Sequence, residues 1–592
     1  MVEVNIVIID SGLDHCYQNE NNIKGGICFK QNEHGDIVTN NNFDDKFGHG
    51  TAIYSIINKE CQGITFYFVK IFDETPECDQ ELLLHSLRFV CKHIKCDFVL
   101  LSSGTVVLRN IEEFDGITKE LYENKECVIV AAFNNEGALS YPAAGEFVIG
   151  IDSSPNVNAK DSHYIVKGSP VDILCSQRSY RVTWLNGNKL IQKGNSYSAA
   201  FFTAKLYNAF KQIGIKDKNE LLKYTKNNSN EIVFQKPCFE KILNPEYLSK
   251  NCKLRAIAFP FSKEIKTLAA NENLLQNIKI VGYYDVRERG EIGLKISDIL
   301  GYSENKKLIR CIDLIEQFDD YDLIICGHLD VLSQLTGNDW RKKLKEIAQR
   351  KGKKLYFFDY DVDRTQRDIY SPPSILKYNG NCFGKMWHIT APVVGVFGTS
   401  SIQGKFSLQL KLRERFINDG YKLRQLSTEP TGALFGMDFV CSIGYNSSIK
   451  LSRNDAAKFY NQLLHECDKC CPDIILIGSQ SATIPHNSYH EQYLTFQQIE
   501  FLFGTNPDAV ILVINEFDDQ TYINRTIKFI ESSINTKVIA CVISPVENVN
   551  YSDIMSLNRE KLYGILNVPI FDYKTQMDLI YLSIIKYFGG TG

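Results

Sequence analysis

The chain has 592 residues, too many for one compact core and enough for roughly three or four domains. Hydrophobic residues make up 44% and charged residues 23%, which excludes a disordered chain. A net charge of -4 excludes a global field that would recruit nucleic acid or anionic lipid.

The opening "MVEVNIVIIDSG" has no basic region followed by an apolar core and a small-residue cleavage site. No apolar run approaches the roughly 18 residues of a bilayer span. A cytoplasmic protein without membrane contacts is therefore expected. The 18 cysteines are scattered, several in apolar strand-like runs, so thiols rather than disulfides are expected. The densest group, His465, Cys467, Cys470 and Cys471 in "HECDKCCPD", has zinc-ligand chemistry but no second half-site with matching spacing. It reads better as a helix end before a strand.

Across residues 1–215, short apolar runs alternate with helical patterns: "VNIVIID", "TFYFVKIF", "DFVLLSS", "CVIVAAF" and "FVIGID". This alternation predicts a parallel sheet with helices on its faces. Residues 216–251 turn polar and are expected to be a linker. A second α/β pattern over 252–390 has strands "LRAIAFPF", "IKIVGYYD", "YDLIICGH" and "KKLYFFDYD" and is Rossmann-like. Its first turn lacks the glycines that let backbone approach a pyrophosphate, so it is not expected to bind a dinucleotide. Residues 391–592 repeat the alternation, starting from the glycine-rich "GVFGTSSIQGKFS".

Four short stretches in the first region carry chemistry. Asp10 ends the first strand in "VIIDSGLD", at the sheet edge where α/β active sites lie; capping the next helix is the equal alternative. His49 in "FGHGTAIYSII" is flanked by glycines, which let its ring reach a neighbour. "CVIVAAFNNEG" delivers Asn134 and Asn135 from a buried strand, either of which suits donation to an oxyanion. Ser196 in "KGNSYSAAFFT" precedes an apolar helix, where serine is ordinarily an N-cap. A nucleophilic serine also needs a base, an orienting acid and an oxyanion donor, and the order Asp, His, Ser is that of the subtilisin arrangement.

In that order the four stretches resemble the subtilases, the subtilisin-like serine peptidases, over residues 1–215. The resemblance implies Asp10 as orienting acid, His49 as general base and then acid, and Ser196 as nucleophile. Asn135 and the Ser196 backbone N–H are implied as oxyanion donors. "LLSSG" is similar to the family's substrate-binding strand, implying that Ser102, Ser103 and Gly104 pair with an extended peptide. Phe133 and Asn134 stand where the family has smaller residues, implying added bulk beside the S1 pocket. Asn195 and Ser198 replace the usual threonine and alanine.

In the third region Gly398, Gly404, Lys405 and Ser407 have the residue types of a phosphate-binding loop, with Lys405 on a terminal phosphate and Ser407 on magnesium. The loop is one residue long, and Phe406 separates the lysine from the hydroxyl, so a plain strand-helix turn stays open. The loop and "PDIILIGSQSATIPH" resemble a P-loop family that includes D-amino-acid N-acetyltransferase-like proteins. Gly478 replaces the carboxylate of that family, with Glu429 and Asp438 as substitutes, so binding of ATP or GTP is expected rather than turnover.

These readings lead to an α/β protein in which a subtilisin-like parallel-sheet domain precedes a Rossmann-like domain and a P-loop NTPase-like domain. The expected activity is that of a serine endopeptidase acting on a restricted peptide, such as the leader of a ribosomally made precursor, with a nucleotide-binding regulatory module. No cofactor is expected for proteolysis, no metal site and no nucleic-acid partner. The competing reading makes the P-loop half a ligase, kinase or acyltransferase and the first domain its peptide-binding module.

Overall fold

Strands buried on both faces read as unbroken apolar runs, and those runs form the centres of the sheets. The computed structural model describes residues 2–32, 34–75, 79–102, 104–155, 157, 163–167, 169–214, 216–225, 229–233, 254–275, 277–300, 305–358, 368–370, 385–401, 403–441, 453–487, 489, 495–515, 518–543 and 567–589. The chain divides into one unit of residues 1–237 with 379–388 and a second of 238–378 with 389–592.

In the first unit β1 (Val2–Asp10) is flanked in parallel by β4 (Phe66–Lys70) and β5 (Ile94–Leu101). The other strands are β2 (Ile23–Gln31), β3 (Ile37–Asn40), β6 (Val128–Ala132), β7 (Val148–Ser154), β8 (His163–Lys167), β9 (Ile173–Ser176) and β12 (Ser229–Val233). Among the described residues these ten make one sheet in the order β12-β8-β9-β7-β6-β5-β1-β4-β2-β3. Only β2–β3 and β8–β9 pair antiparallel within it. Helices α1 (His49–Glu60) and α4 (Asn195–Ile213) share one apolar core, with Ile53, Ile57, Ala200 and Leu206 fully enclosed. Helices α2 (Gln80–His93) and α3 (Ile111–Lys119) contribute to the core on the other face. A hairpin of β10 (Ser179–Thr183) and β11 (Lys189–Lys193), turning through Asn186–Gly187, feeds directly into α4.

Within the expected linker 216–251, of which residues 226–228 and 234–251 lie outside the described residues, two ordered elements form. Helix α5 (Lys218–Tyr224) buries Leu221 and Leu222, and Lys218 pairs with Asp172 at 2.9 Å. Strand β12 then runs parallel to β8. A polar sequence hid two apolar anchors and one ion pair. Residues 379–388, expected in the middle domain, also group with the first unit.

The second unit has two parallel sheets among its described residues. One has six strands in the spatial order Ile309–Cys311, Ile278–Asp285, Leu254–Phe259, Leu323–Cys326, Lys354–Phe357, Ile369–Tyr370. The other has seven: Phe439–Val440, Leu423–Ser427, Ile474–Gly478, Val393–Gly398, Ala509–Ile514, Lys537–Ile543, Ile570–Asp572. Val393–Gly398 is the central strand, and helix Lys405–Asn418 follows its carboxyl end. No described helix is long and apolar enough to cross a membrane.

Candidate active site

Asp10 ends β1 fully enclosed, so its charge has to be met by donors. Oδ1 accepts from the Ser11 N–H at 2.7 Å, and Oδ2 accepts from the Ser102 hydroxyl. His49 Nδ1 lies 2.9 Å from both carboxylate oxygens. A carboxylate only accepts, so Nδ1 carries the proton and Nε2 is left as the basic nitrogen. Burial alone would push the Asp10 carboxyl up, but the charge and hydrogen bond of His49, with Ser102 and Ser11, bring it below its ordinary value. Burial likewise opposes the charged form of His49, and Asp10 outweighs it, so the imidazole is raised.

The start of α1 is held for this contact. Asp45 accepts from the N–H groups of Gly48 (2.7 Å) and Thr51 (2.9 Å) and from the Thr51 hydroxyl (2.7 Å). Gly50 donates to Ser11 Oγ at 2.9 Å, tying the helix to the turn after β1. A Cβ at position 50 would lie 2.3 Å from the Gly12 carbonyl oxygen, so the approach requires glycine. Asp45 was not legible as a site residue; its only signal is an acidic residue shortly before "GHGT".

Ser196 is half-buried in the first turn of α4, whose leading N–H groups have no intrahelical partner and whose dipole favours negative charge. Its hydroxyl donates to the Ser102 carbonyl at 2.6 Å rather than to the His49 ring. The next residue, Tyr197, packs its ring 5.4 Å from that ring, centroid to centroid. Asp10, His49, Ser102 and Ser196 thus form one connected chain, while the direct Ser196–His49 bond is not made.

The two asparagines have separate tasks. Asn134 Oδ1 accepts from Glu136 N at 2.6 Å and closes the turn. Exposed Asn135 accepts from the Asn195 N–H at 2.9 Å, which sets its amide beside the helix mouth. Asn195 is buried and highly connected. Its Nδ2 donates to Asp152 Oδ1 (2.8 Å) and to the Phe133 carbonyl (3.1 Å), and its Oδ1 accepts from Ser153 Oγ (2.6 Å).

One expectation about the substrate side changes. Phe133 does not crowd an open pocket; it is enclosed in the core, and a Cβ at Gly150 would lie 2.6 Å from its ring. The reason is that its side chain points to the face of β6 occupied by α2 and α3. The edge after β5 is short, because Thr105 exchanges two 2.8 Å backbone bonds with Tyr141 and a Cβ at Gly104 would lie 2.8 Å from the Tyr141 oxygen. Ser103 lies outside the described residues.

In the second unit, Gly398 ends the central strand and Gly404, at φ +73°, leads into the helix that starts with Lys405. Lys405 is buried and donates to the Ser400 carbonyl at 2.5 Å; Gln403 spans the loop, accepting from Ser400 N at 2.9 Å and donating to Thr399 Oγ1 at 2.7 Å. Burial pushes the Lys405 amine down to about 7, with Glu429 opposing. These groups fit a phosphate. The magnesium ligand does not fit: Ser407 Oγ faces Asn271 (3.1 Å) and Tyr573, since Phe406 takes the adjacent position and buries against Phe435. Asp438 is paired with Arg424. A Cβ at Gly478 would lie 1.8 Å from Gln409 Nε2, so an amide fills the space a carboxylate would need.

These features define an α/β protein of parallel sheets with a P-loop in its C-terminal part. Residues 381–562 match a family described as a domain of unknown function (DUF1611_C) P-loop domain. Among solved structures the chain is similar to a DUF1611 family protein from Anabaena variabilis, at 15% identity and TM-score 0.42, covering 56% of this chain and 99% of that one. It is also similar to the epidermin leader peptide processing serine protease EpiP from Staphylococcus aureus (16% identity, TM-score 0.31, 37% of this chain, 68% of that one). For the nisin leader peptidase NisP from Lactococcus lactis the values are 17%, 0.32, 39% and 85%. No curated protein matches the chain.

Proposed function

We propose that the first unit is a serine endopeptidase of subtilisin type and that the P-loop domain binds ATP or GTP to regulate it. The observation that carries this reading is the His49 Nδ1 bond to buried Asp10 at 2.9 Å, with Ser196 linked to the same carboxylate through Ser102.

In the proposed reaction Ser196 Oγ turns from the Ser102 carbonyl to His49 Nε2 and gives up its proton as it attacks the peptide carbonyl carbon. Hydroxyl-to-base contacts of this kind are commonly loose before substrate binds. Negative charge develops on the carbonyl oxygen and is met by Asn135 Nδ2 and the Ser196 N–H. The C–N bond then breaks, and His49 returns the proton to the departing amine. Water, deprotonated at the same Nε2, attacks the acyl carbon; the C–Oγ bond breaks, and His49 returns that proton to Ser196 Oγ.

The substrate is proposed to be a restricted peptide, with a precursor leader as the specific case. The Thr105–Tyr141 pair, which closes the edge beside Gly104, supports a narrow site. Gln409 at Gly478 supports nucleotide binding over turnover. The test is cleavage of a peptide library by the full chain, with Ser196→Ala as control. Cleavage abolished by the substitution is expected; equal cleavage by both proteins, or none by folded wild type, overturns the reading.

A further inference from the structure

The oxyanion pair of the proposed site is braced from residues far along the chain. After the second unit's first sheet the chain returns, and residues 385–388 lie against the turn that carries Asn135. Leu139 donates to the Met386 carbonyl at 3.0 Å, Ala138 and Met386 form a parallel bridge, and Trp387 packs 6.2 Å from the Tyr141 ring. Lys385 enters the interior and is only 5% exposed. Its Nζ lies 3.4 Å from Asp152 Oδ2, donates to the Asn134 carbonyl at 3.1 Å, and sits 5.4 Å from the centre of the Phe133 ring.

Each partner leads to one oxyanion donor. Asp152 Oδ1 accepts from Asn195, the residue before Ser196, and so fixes the N–H at the helix mouth. Asn134 precedes Asn135, whose amide is the second donor. Asp152 is the group here that a cation serves: burial pushes its carboxyl up, and Lys385 is the first of the groups opposing that shift. A lysine enclosed this deeply, with an anion and a carbonyl as its hydrogen-bonding partners, is held there by them and orders them in return.

Resting on the peptidase reading, we propose that Lys385 is a positioning residue for proteolysis: it locks Asp152–Asn195 and the Asn134 carbonyl so that both oxyanion donors face one point. Residue 389, four positions on, belongs to the second unit, which ends in the P-loop domain. The brace is therefore continuous in sequence with the strand that bears the proposed nucleotide site.

The test measures phosphonylation of Ser196 by a fluorophosphonate, and kcat and KM on a cleaved peptide, in the full chain. Displacing a reacting group by about 1 Å costs on the order of 10²-fold. Lys385→Met is expected to lower labelling rate and kcat by about that factor, with KM within threefold, and Lys385→Arg to recover most of the loss. A wild-type labelling rate in folded Lys385→Met overturns the inference. Should Lys385→Met not fold, Asp152→Asn decides: it removes the counter-charge but keeps an acceptor for Asn195, and should slow labelling tenfold or more; an unchanged rate overturns the inference. Absence of labelling in the wild type overturns the peptidase reading instead.

Discussion

Replacing Asp10 by asparagine removes one charge and, more consequentially, reverses a donor. The carboxylate accepts from four groups: the Ser11 N–H and hydroxyl at Oδ1, the Ser102 hydroxyl at Oδ2, and His49 Nδ1 at both. An amide has one accepting oxygen. The Ser11 N–H at 2.7 Å can only donate, so the oxygen stays at Oδ1 and the new NH₂ takes Oδ2. The Ser102 hydroxyl can turn round, but the new N–H at Oδ2 also faces Nδ1 and competes with the retained oxygen, stabilising the tautomer whose proton is on Nε2. That tautomer cannot take a proton from Ser196. The expected loss is about 10³- to 10⁴-fold in phosphonylation rate, the order seen when this exchange is made in a triad. Stability should change far less, since a charge-assisted bond worth about 1.5–3 kcal/mol is lost while a buried charge is relieved. The assay is the fluorophosphonate rate against pH, beside a thermal melt. In the wild type His49 is raised above 6.5 by Asp10, so the rate should rise with pH through a midpoint above that value. The pair's stabilising contribution is present below His49's unfolded value and fades as pH rises through the folded one. A rate within threefold of wild type in Asp10→Asn, or a midpoint below 6.5, would refute the reasoning.

Asn135→Ala should lower kcat about 10²- to 10³-fold with KM little changed, because the exposed side chain meets charge only in the transition state; kinetics on a cleaved peptide check this. Lys405, at about 7, is partly neutral in mildly alkaline solution. ATP should therefore bind with proton uptake at pH 8 and lose affinity as pH rises, and Lys405→Ala should abolish the proton uptake; calorimetry in buffers of different ionisation enthalpy reads both. Gly478→Asp should destabilise by about 1–3 kcal/mol through overpacking against Gln409, and Gln409→Ala in the same chain should recover part of it, both by denaturant unfolding.

The sheets were legible because their central strands are buried on both faces: "VNIVIID", "CVIVAAF" and "IKIVGYYD" each become strands near where their apolar runs lie. Asp10, His49 and Asn135 stand out in the sequence as candidates because each follows or flanks such a run, and the fold brings Asp10 and His49 into contact. What could not be read is tertiary. The β10–β11 hairpin alternates weakly, with Ile191 exposed, so its pattern does not announce a strand. Asn195 looks like a turn residue until Asp152 and Ser153 close around it. Lys385 is 251 residues from Asn134 in the turn it braces, and nothing local to it distinguishes a buried lysine from a surface one.

The measurement closest to the central claim is mass-spectrometric mapping of the residue that a fluorophosphonate modifies in the full chain. A single phosphonylated site at Ser196 is expected, formed at a rate that collapses in His49→Ala. Modification elsewhere, or no modification of folded protein, would contradict it.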